Sequence, residues 1–341
     1  MVEFQYGGQR RSLNPGGHFA RPRDAGFRYT PATELEAMVA EIEAGRPWRE
    51  VVHDHFATPR PWLHAIISDP RRTGFWAVVP GPDDRAGPAL DIGAGWGQIA
   101  RPLAAHRPVV ALEPVAERMA FIRAAARQDG VADHLAFIEA DYLEVDFVTP
   151  FALICAIGVL EWAGAFQSKD DPRARQRAFL RKTRRELADR GCLVLGIENR
   201  LGLKYLLGCP DDHLGVPGVA CAEAARAIEL WRHTAGQELQ CFTYSRQELE
   251  QMLHEAGYGK VEFFGAFPDY KLPVRVVPLD DGGTALHRFL LNDEIPPEHN
   301  GYNGERLGDA FQQQLAARYR HLAEAGTAAE HVPSFFVRAS G

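Results

Sequence analysis

Between positions 86 and 200, short apolar runs alternate with longer stretches whose apolar residues recur at helical spacing. Ala89–Asp91, Val109–Glu113, Ala136–Asp141, Phe151–Leu160 and Cys192–Asn199 have the compactness of buried strands. The stretch from Leu112 to Asp129 supplies a crossover helix opened by Pro114, with Met119, Phe121, Ile122 and Ala125 turned inward. Asp171-Pro172 starts another helix, a cap followed by proline at the first position, which runs through Leu187 and ends before Gly191. Its many arginines read as a solvated face. This alternation predicts βαβ units with right-handed crossovers and a mostly parallel sheet covered by helices on both faces.

The flanks carry other patterns. Thr33-Glu-Leu-Glu36 has the spacing of a capping box, and Leu35, Met38, Val39 and Ile42 predict an amphipathic helix ended by Gly45 and Pro47. Trp48, Phe56, Trp62, Ile66, Ile67, Phe75 and Trp76 continue a helical apolar surface, an aromatic stripe that reads as core, up to a turn at Gly81-Pro-Asp-Asp84. Residues 1–30, rich in Gly and Arg, are expected to order only against a ligand or partner. Past Asn199 about 45 residues intervene before Ser245-Arg-Gln-Glu248, a second capping box opening a helix through Leu249, Met252 and Leu253 to Gly257. Leu307–Ala325 reads as a helix and Pro333–Ala339 as a last, antiparallel strand. The expected organisation is a helical N-terminal extension or lid over 1–85, a core over 86–200, a cap inserted at 201–242, and completion of the core by 243–341.

Composition narrows the class. The 341 residues carry 38 basic and 45 acidic side chains, a net charge of -7, which gives nucleic acid or an anionic membrane no electrostatic footing. Five cysteines without a Cys-x-x-Cys pair argue against a disulfide framework or a zinc knuckle, and the longest apolar run is about half a membrane span. A cytoplasmic protein without membrane insertion is expected, and a homo-oligomer is compatible with the sequence.

The chemistry centres on Asp91-Ile-Gly-Ala-Gly-Trp-Gly97-Gln98, a turn with glycines at 93, 95 and 97 that follows the first apolar strand. Alternate glycines allow backbone angles closed to other residues and let a ligand approach the main chain. The dinucleotide fingerprint needs Gly-x-Gly-x-x-Gly, which is absent, and Asp91 would repel a pyrophosphate at the helix start. S-adenosylmethionine (SAM) has no phosphate and carries an ammonium and a sulfonium, so a carboxylate at the strand tip favours it.

This segment resembles the first motif of class I SAM-dependent methyltransferases, whose fold is a Rossmann-like α/β sheet. The resemblance implies a cofactor site of Asp91, Gly93, Ala94, Gly95, Gly97 and Gln98. Glu113, 22 positions after Asp91 and followed by Pro114, would then grip the ribose. Asp141, with Tyr142 behind it, would face the adenine, and Ile157-Gly158 would line the methyl-transfer site. Gly158-Val-Leu-Glu-Trp162, Glu198-Asn-Arg-Leu-Gly-Leu-Lys-Tyr205, Gly208-Cys-Pro-Asp-Asp-His-Leu-Gly215 and Phe267-Pro-Asp-Tyr-Lys-Leu-Pro273 resemble a narrower group, bacterial methyltransferases encoded among glycosyltransferase and cell-surface glycan genes. That resemblance implies O-methylation of a sugar or other small hydroxylated acceptor.

A hydroxyl nucleophile needs a group to take its proton. His213 is the first candidate, with Asp211 or Asp212 beside it to orient the imidazole. Glu161 follows the fourth strand of the core and is a second candidate, while Asn199 and Tyr270 are uncharged candidates for orienting a substrate. No metal is expected, because the consecutive side chains of Asp211, Asp212 and His213 seldom converge on one ion. Two alternatives use the same motifs: intramolecular cyclisation of SAM with release of methylthioadenosine, and a non-catalytic SAM-binding protein.

Overall fold

The computed structural model describes residues 1–21, 30–80, 87–163, 165, 171–301 and 304–341. The chain begins with β1 (Val2–Tyr6), β2 (Gln9–Leu13) and β3 (His18–Ala20), followed by α1 (Ala32–Glu43), α2 (Trp48–Phe56) and α3 (Pro61–Ser68). The alternating region supplies β4 (Ala89–Ile92), α4 (Ala100–Ala104), β5 (Val109–Leu112), α5 (Ala116–Gln128), β6 (Leu135–Glu139), β7 (Val145–Phe147), β8 (Phe151–Ile157), α6 (Pro172–Glu186) and β9 (Leu187–Glu198). Then come α7 (Leu203–Leu206), α8 (Ala224–Ala235), α9 (Arg246–Glu255), β10 (Lys260–Phe267), β11 (Arg275–Pro278), α10 (Thr284–Asn292), α11 (Asp309–Glu324) and β12 (Ser334–Ser340).

Among the described residues nine strands form one sheet in the order β11-β10-β12-β9-β8-β4-β5-β6-β3. From β9 to β3 all neighbours are parallel, whereas β12 is antiparallel to both β9 and β10. The final strand is therefore antiparallel, as the sequence predicts. Alternate residues feed two cores: Leu90, Ile92, Val110, Leu112 and Ile154 join one cluster, and Ala89, Val109, Ala111, Leu153 and Cys155 join another. A strand buried on both faces has this consequence, and it explains why these runs show no polar alternation. The chain runs outward from β4 through β5 and β6, then returns to continue through β8 and β9 on the other side. That reversal opens a crevice at the carboxyl ends of β4 and β8.

The N-terminal extension departs from expectation. Rather than awaiting a ligand, residues 2–13 form a hairpin whose β1 pairs antiparallel with β7 and buries Val2 and Phe4, while β3 adds to the main sheet beside β6. The helical part of the extension forms as predicted, but the capping box at Thr33–Glu36 does not. The helix starts two residues earlier, behind Pro31, which places Thr33 inside the first turn with no side-chain cap. By contrast, Ser245 and Glu248 make both reciprocal bonds of the second capping box. Pro114 lies two residues outside α5, whose N-cap is Val115. The expected turn at 81–84 lies outside the described residues.

Trp96 ties the extension to the core. It is 5% exposed, and its ring lies edge-on to Phe56 of α2 and Phe121 of α5 at 5.6 and 5.0 Å. The glycine turn is thus packed directly against the extension.

Candidate active site

The turn after β4 is built on left-handed glycines, with φ of +64° at Gly93, +58° at Gly95 and +73° at Gly97. They are not equivalent. A Cβ on Gly93 would sit 2.7 Å from Val159, and one on Gly97 3.0 Å from Ile122, so both are constrained by packing. At Gly95 a Cβ would meet only ordinary contacts, the nearest being Gln98 Oε1 at 3.6 Å, so here the left-handed φ rather than a packing clash calls for glycine. The turn is fastened by the Ala94 N–H donating to Leu112 O at 2.9 Å and by the Trp96 N–H donating to the Gln98 carboxamide at 2.9 Å.

Three acids stand at neighbouring strand ends. Asp91 is 2% exposed and its Oδ2 accepts no hydrogen bond. Burial pushes its carboxyl up to about 7, opposed by the Ala100 N–H and the Arg72 charge. Glu113, also buried, accepts from the Gly95 N–H at 2.9 Å and the Val115 N–H at 3.1 Å, with Arg118 at 3.5 Å. Burial raises its pKa as well, against the pull of Arg118. Asp141 accepts from the Leu143 N–H at 2.7 Å. Tyr142 does not join this group: its hydroxyl donates to Glu186 at 2.6 Å and its ring packs on Phe179 at 4.9 Å, which commits it to the core. Arg21, just past β3, donates to Pro114 O at 2.9 Å, so the extension reaches the ends of β5 and β6.

A second polar centre lies at the ends of β8 and β9. Ile157 and the left-handed Gly158 lead into a short turn, Leu160–Trp162, that carries Glu161. Gln176 holds this turn, donating to Leu160 O at 2.9 Å and Phe242 O at 3.0 Å. Glu198 is the last residue of β9. The inserted segment brings His213 between them, its Nε2 3.3 Å from Glu198 Oε2 and 3.6 Å from Glu161 Oε1, and its ring edge-on to Trp162 at 5.2 Å. Tyr270 lies over Gly158, where a Cβ would approach its hydroxyl to 2.8 Å, and that hydroxyl is 3.4 Å from Glu161 Oε1. Lys271 pairs with Glu198.

Burial raises Glu161 against the opposing pull of His213. Burial also disfavours the Glu198 carboxylate, but His213 and Lys271 outweigh it and hold that group well below the usual range. For His213, burial is outweighed in the other direction by Cys241, Glu198 and Glu161. The Cys241 thiol is itself pushed up to about 12 by burial and is neutral near pH 7, so the carboxylates carry the effect.

Of the four residues expected around the acceptor, the structure brings His213, Glu161 and Tyr270 together. It assigns Asn199 elsewhere: its amide donates to Glu330 O and Val332 O at 2.9 Å each, and its Oδ1 accepts from the Leu201 N–H, so the side chain is fully used in fastening loops. The aspartates beside His213 do not orient it. Asp211 Oδ1 caps the turn by accepting the N–H groups of His213 and Leu214 at 2.8 Å, stands 3.9 Å from the imidazole Nδ1, and leaves that nitrogen without a hydrogen bond. Asp212 pairs with Lys204 at 2.9 Å. Glu198 was not anticipated, although it ends its strand in an acid just as β4 and β5 approach theirs. Trp62, expected to be core, is half-buried in a cleft with Arg71, Asp269, Leu272 and His299, its ring stacked on His299 at 5.9 Å.

Residues 89–191 match the family model described as a methyltransferase domain; the inserted segment and the C-terminal strands lie outside the match. No curated protein matches the chain. Among solved structures, it is similar to the CcbJ methyltransferase from Streptomyces caelestis, at 18% identity over 72% of this chain and 93% of that one, with a TM-score of 0.42. It is also similar to a SAM-dependent methyltransferase from Thermotoga maritima, at 15% identity over 90% and 98% of the two chains, with a TM-score of 0.40. Among the described residues no helix is long and apolar enough to cross a membrane. With its methyltransferase domain at residues 89–191, on a mostly parallel Rossmann-like sheet, this chain is a transferase that uses S-adenosylmethionine.

Proposed function

We propose that the protein moves the methyl group of SAM to a hydroxyl of a small polar acceptor, a sugar or glycan precursor. The residues present fit the cofactor. The unpartnered Asp91 Oδ2 offers a buried anion to its ammonium, and the glycine turn offers the side-chain-free backbone that a flat nucleoside can approach closely. In this reading Glu113 takes the ribose hydroxyls and Asp141 faces the adenine. The bound cofactor supplies a methyl group on a positively charged sulfur. The protein's part is to align the acceptor with that carbon, exclude water and take the hydroxyl's proton.

The observation that carries this reading is the convergence of Glu161, Glu198 and His213 beside Gly158. Three buried side chains with free lone pairs or an exchangeable proton meet at the end of the crevice where methyl transfer is expected. Tyr270 positions Glu161, and Gln176 fixes the backbone that carries it. The cleft at Trp62 borders the same segment, 268–272, and supplies an aromatic face with Arg71 and Asp269 for a polyhydroxylated ring.

The test is incubation with SAM and a panel of free and nucleotide-linked sugars, with mass spectrometry of both products. S-Adenosylhomocysteine together with a singly methylated sugar is expected. Methylthioadenosine would overturn methyl transfer in favour of cyclisation, and S-adenosylhomocysteine formed only with an amine acceptor would overturn the hydroxyl.

A further inference from the structure

We propose that Glu161, Glu198 and His213 bind a divalent transition-metal cation, which activates the acceptor hydroxyl. This rests on the reading of the crevice as an O-methylation site and adds a cofactor to it. One donor atom from each of the three residues lies within 4.8 Å of the other two, although the residues come from a turn, a strand end and an inserted loop. Donors bound about 2.1 Å from a common ion at tetrahedral angles stand about 3.4 Å apart. His213 Nε2 lies 3.3 Å from Glu198 Oε2 and 3.6 Å from Glu161 Oε1, so the nitrogen already has that spacing from both carboxylates.

A second observation points to a missing partner. The Oε2 atoms of Glu161 and Glu198 accept no hydrogen bond, although the two side chains are 0% and 2% exposed. Buried carboxylate oxygens are rarely left so, because desolvation without a donor costs stability. Lys271 occupies the other oxygen of Glu198 and leaves Oε2 turned to the imidazole. The local charge agrees. Four buried carboxylates, Glu161, Glu198, Asp211 and Asp212, crowd this group beside Lys204 and Lys271, an environment that favours a cation.

The donor set selects the ion. One imidazole with two carboxylates suits Mn2+, Co2+ or Zn2+ better than Mg2+ or Ca2+, which favour all-oxygen shells. Three protein ligands leave a coordination position open, and a hydroxyl there would lose its proton nearer neutral pH, the proton passing to the Glu161 carboxylate oxygen that does not hold the ion.

The test uses the metal alone. The full chain, stripped with a chelator, is titrated with Mn2+ and Co2+ by calorimetry and visible absorption, without acceptor. One equivalent should bind, with the stronger absorption of four- or five-coordinate Co2+, and Glu161→Gln and Glu198→Gln should each weaken it by about a hundredfold or more. Circular dichroism and a cooperative thermal melt, measured in parallel, are the check that the variants fold. Should the variants not fold, nitrogen coupling to Mn2+ in pulsed electron paramagnetic resonance of the wild type reports the imidazole ligand without any substitution. No uptake, six-coordinate aquo-like Co2+, absent nitrogen coupling, or unchanged affinity in folded variants would each overturn the site. Undiminished sugar methylation by chelator-stripped protein would sink the metal and leave the proposed function standing; metal uptake without sugar methylation would do the reverse.

Discussion

Asp91 is 2% exposed at the end of the first core strand, with a carboxyl pushed up to about 7 by burial. In the unfolded chain it titrates near about 4. Its protonated form therefore favours the fold at acid pH, and that contribution is lost as the pH rises from about 4 through about 7. A cationic ligand beside the carboxylate drives off the same proton. SAM affinity measured calorimetrically should climb from about pH 5 to about 7, by at most about tenfold per unit, and then level. Asp91→Asn should bind weakly with a flat profile; a flat wild-type profile would remove Asp91 from the site. The glycines separate packing from binding. Gly95→Ala adds a methyl that meets only ordinary contacts, at a left-handed strain of about 1–2 kcal/mol, and should weaken SAM more than its modest loss of melting temperature suggests. Gly93→Ala drives its methyl into Val159 and should lower the melting temperature further. The acids at 91 and 113 were legible in the sequence because each closes, or directly follows, an apolar run. The meeting of Glu161, Glu198 and His213 was not, since it depends on how a loop of turns folds back over two strand ends.

Among the elements, the five core strands and the helices between them follow from apolar periodicity, because a doubly covered parallel strand has to be apolar throughout. The N-terminal hairpin escaped the same reading. Gln9–Leu13 is almost fully exposed and has no buried face to betray it, and only Val2 and Phe4 of its partner enter the core. Those two side chains turn a suspected ligand-dependent lid into a structural part. Removal of residues 1–13 should cost about 3–6 kcal/mol in urea denaturation, from the two buried side chains alone. A truncated protein with unchanged stability would contradict the hairpin. The box at Thr33–Glu36 failed because Pro31 takes the N-cap position and the helix opens at Ala32, which illustrates that a capping motif competes with its neighbours.

At the scale of the whole molecule, the sheet reversal, the extension and the inserted loop surround one crevice. Its two ends have different chemistry: carboxylates and open backbone at Asp91, Gly95 and Glu113, and a buried His–Glu–Glu group beside Gly158. Under the proposed function Trp62, from the extension, serves the acceptor side. Trp62→Ala should raise the acceptor KM several-fold while leaving SAM affinity unchanged, measured by steady-state kinetics and calorimetry; an equal effect on both would place the cleft elsewhere. The central claim is that one cofactor spans these two ends, and a crystal structure of the complex with S-adenosylhomocysteine tests it most directly. The purine should lie towards Asp141, the ribose against Glu113, and the sulfur towards Gly158 with Glu161 and His213 beyond it. A nucleoside bound away from Gly95, or a sulfur turned away from Glu161, would contradict the account.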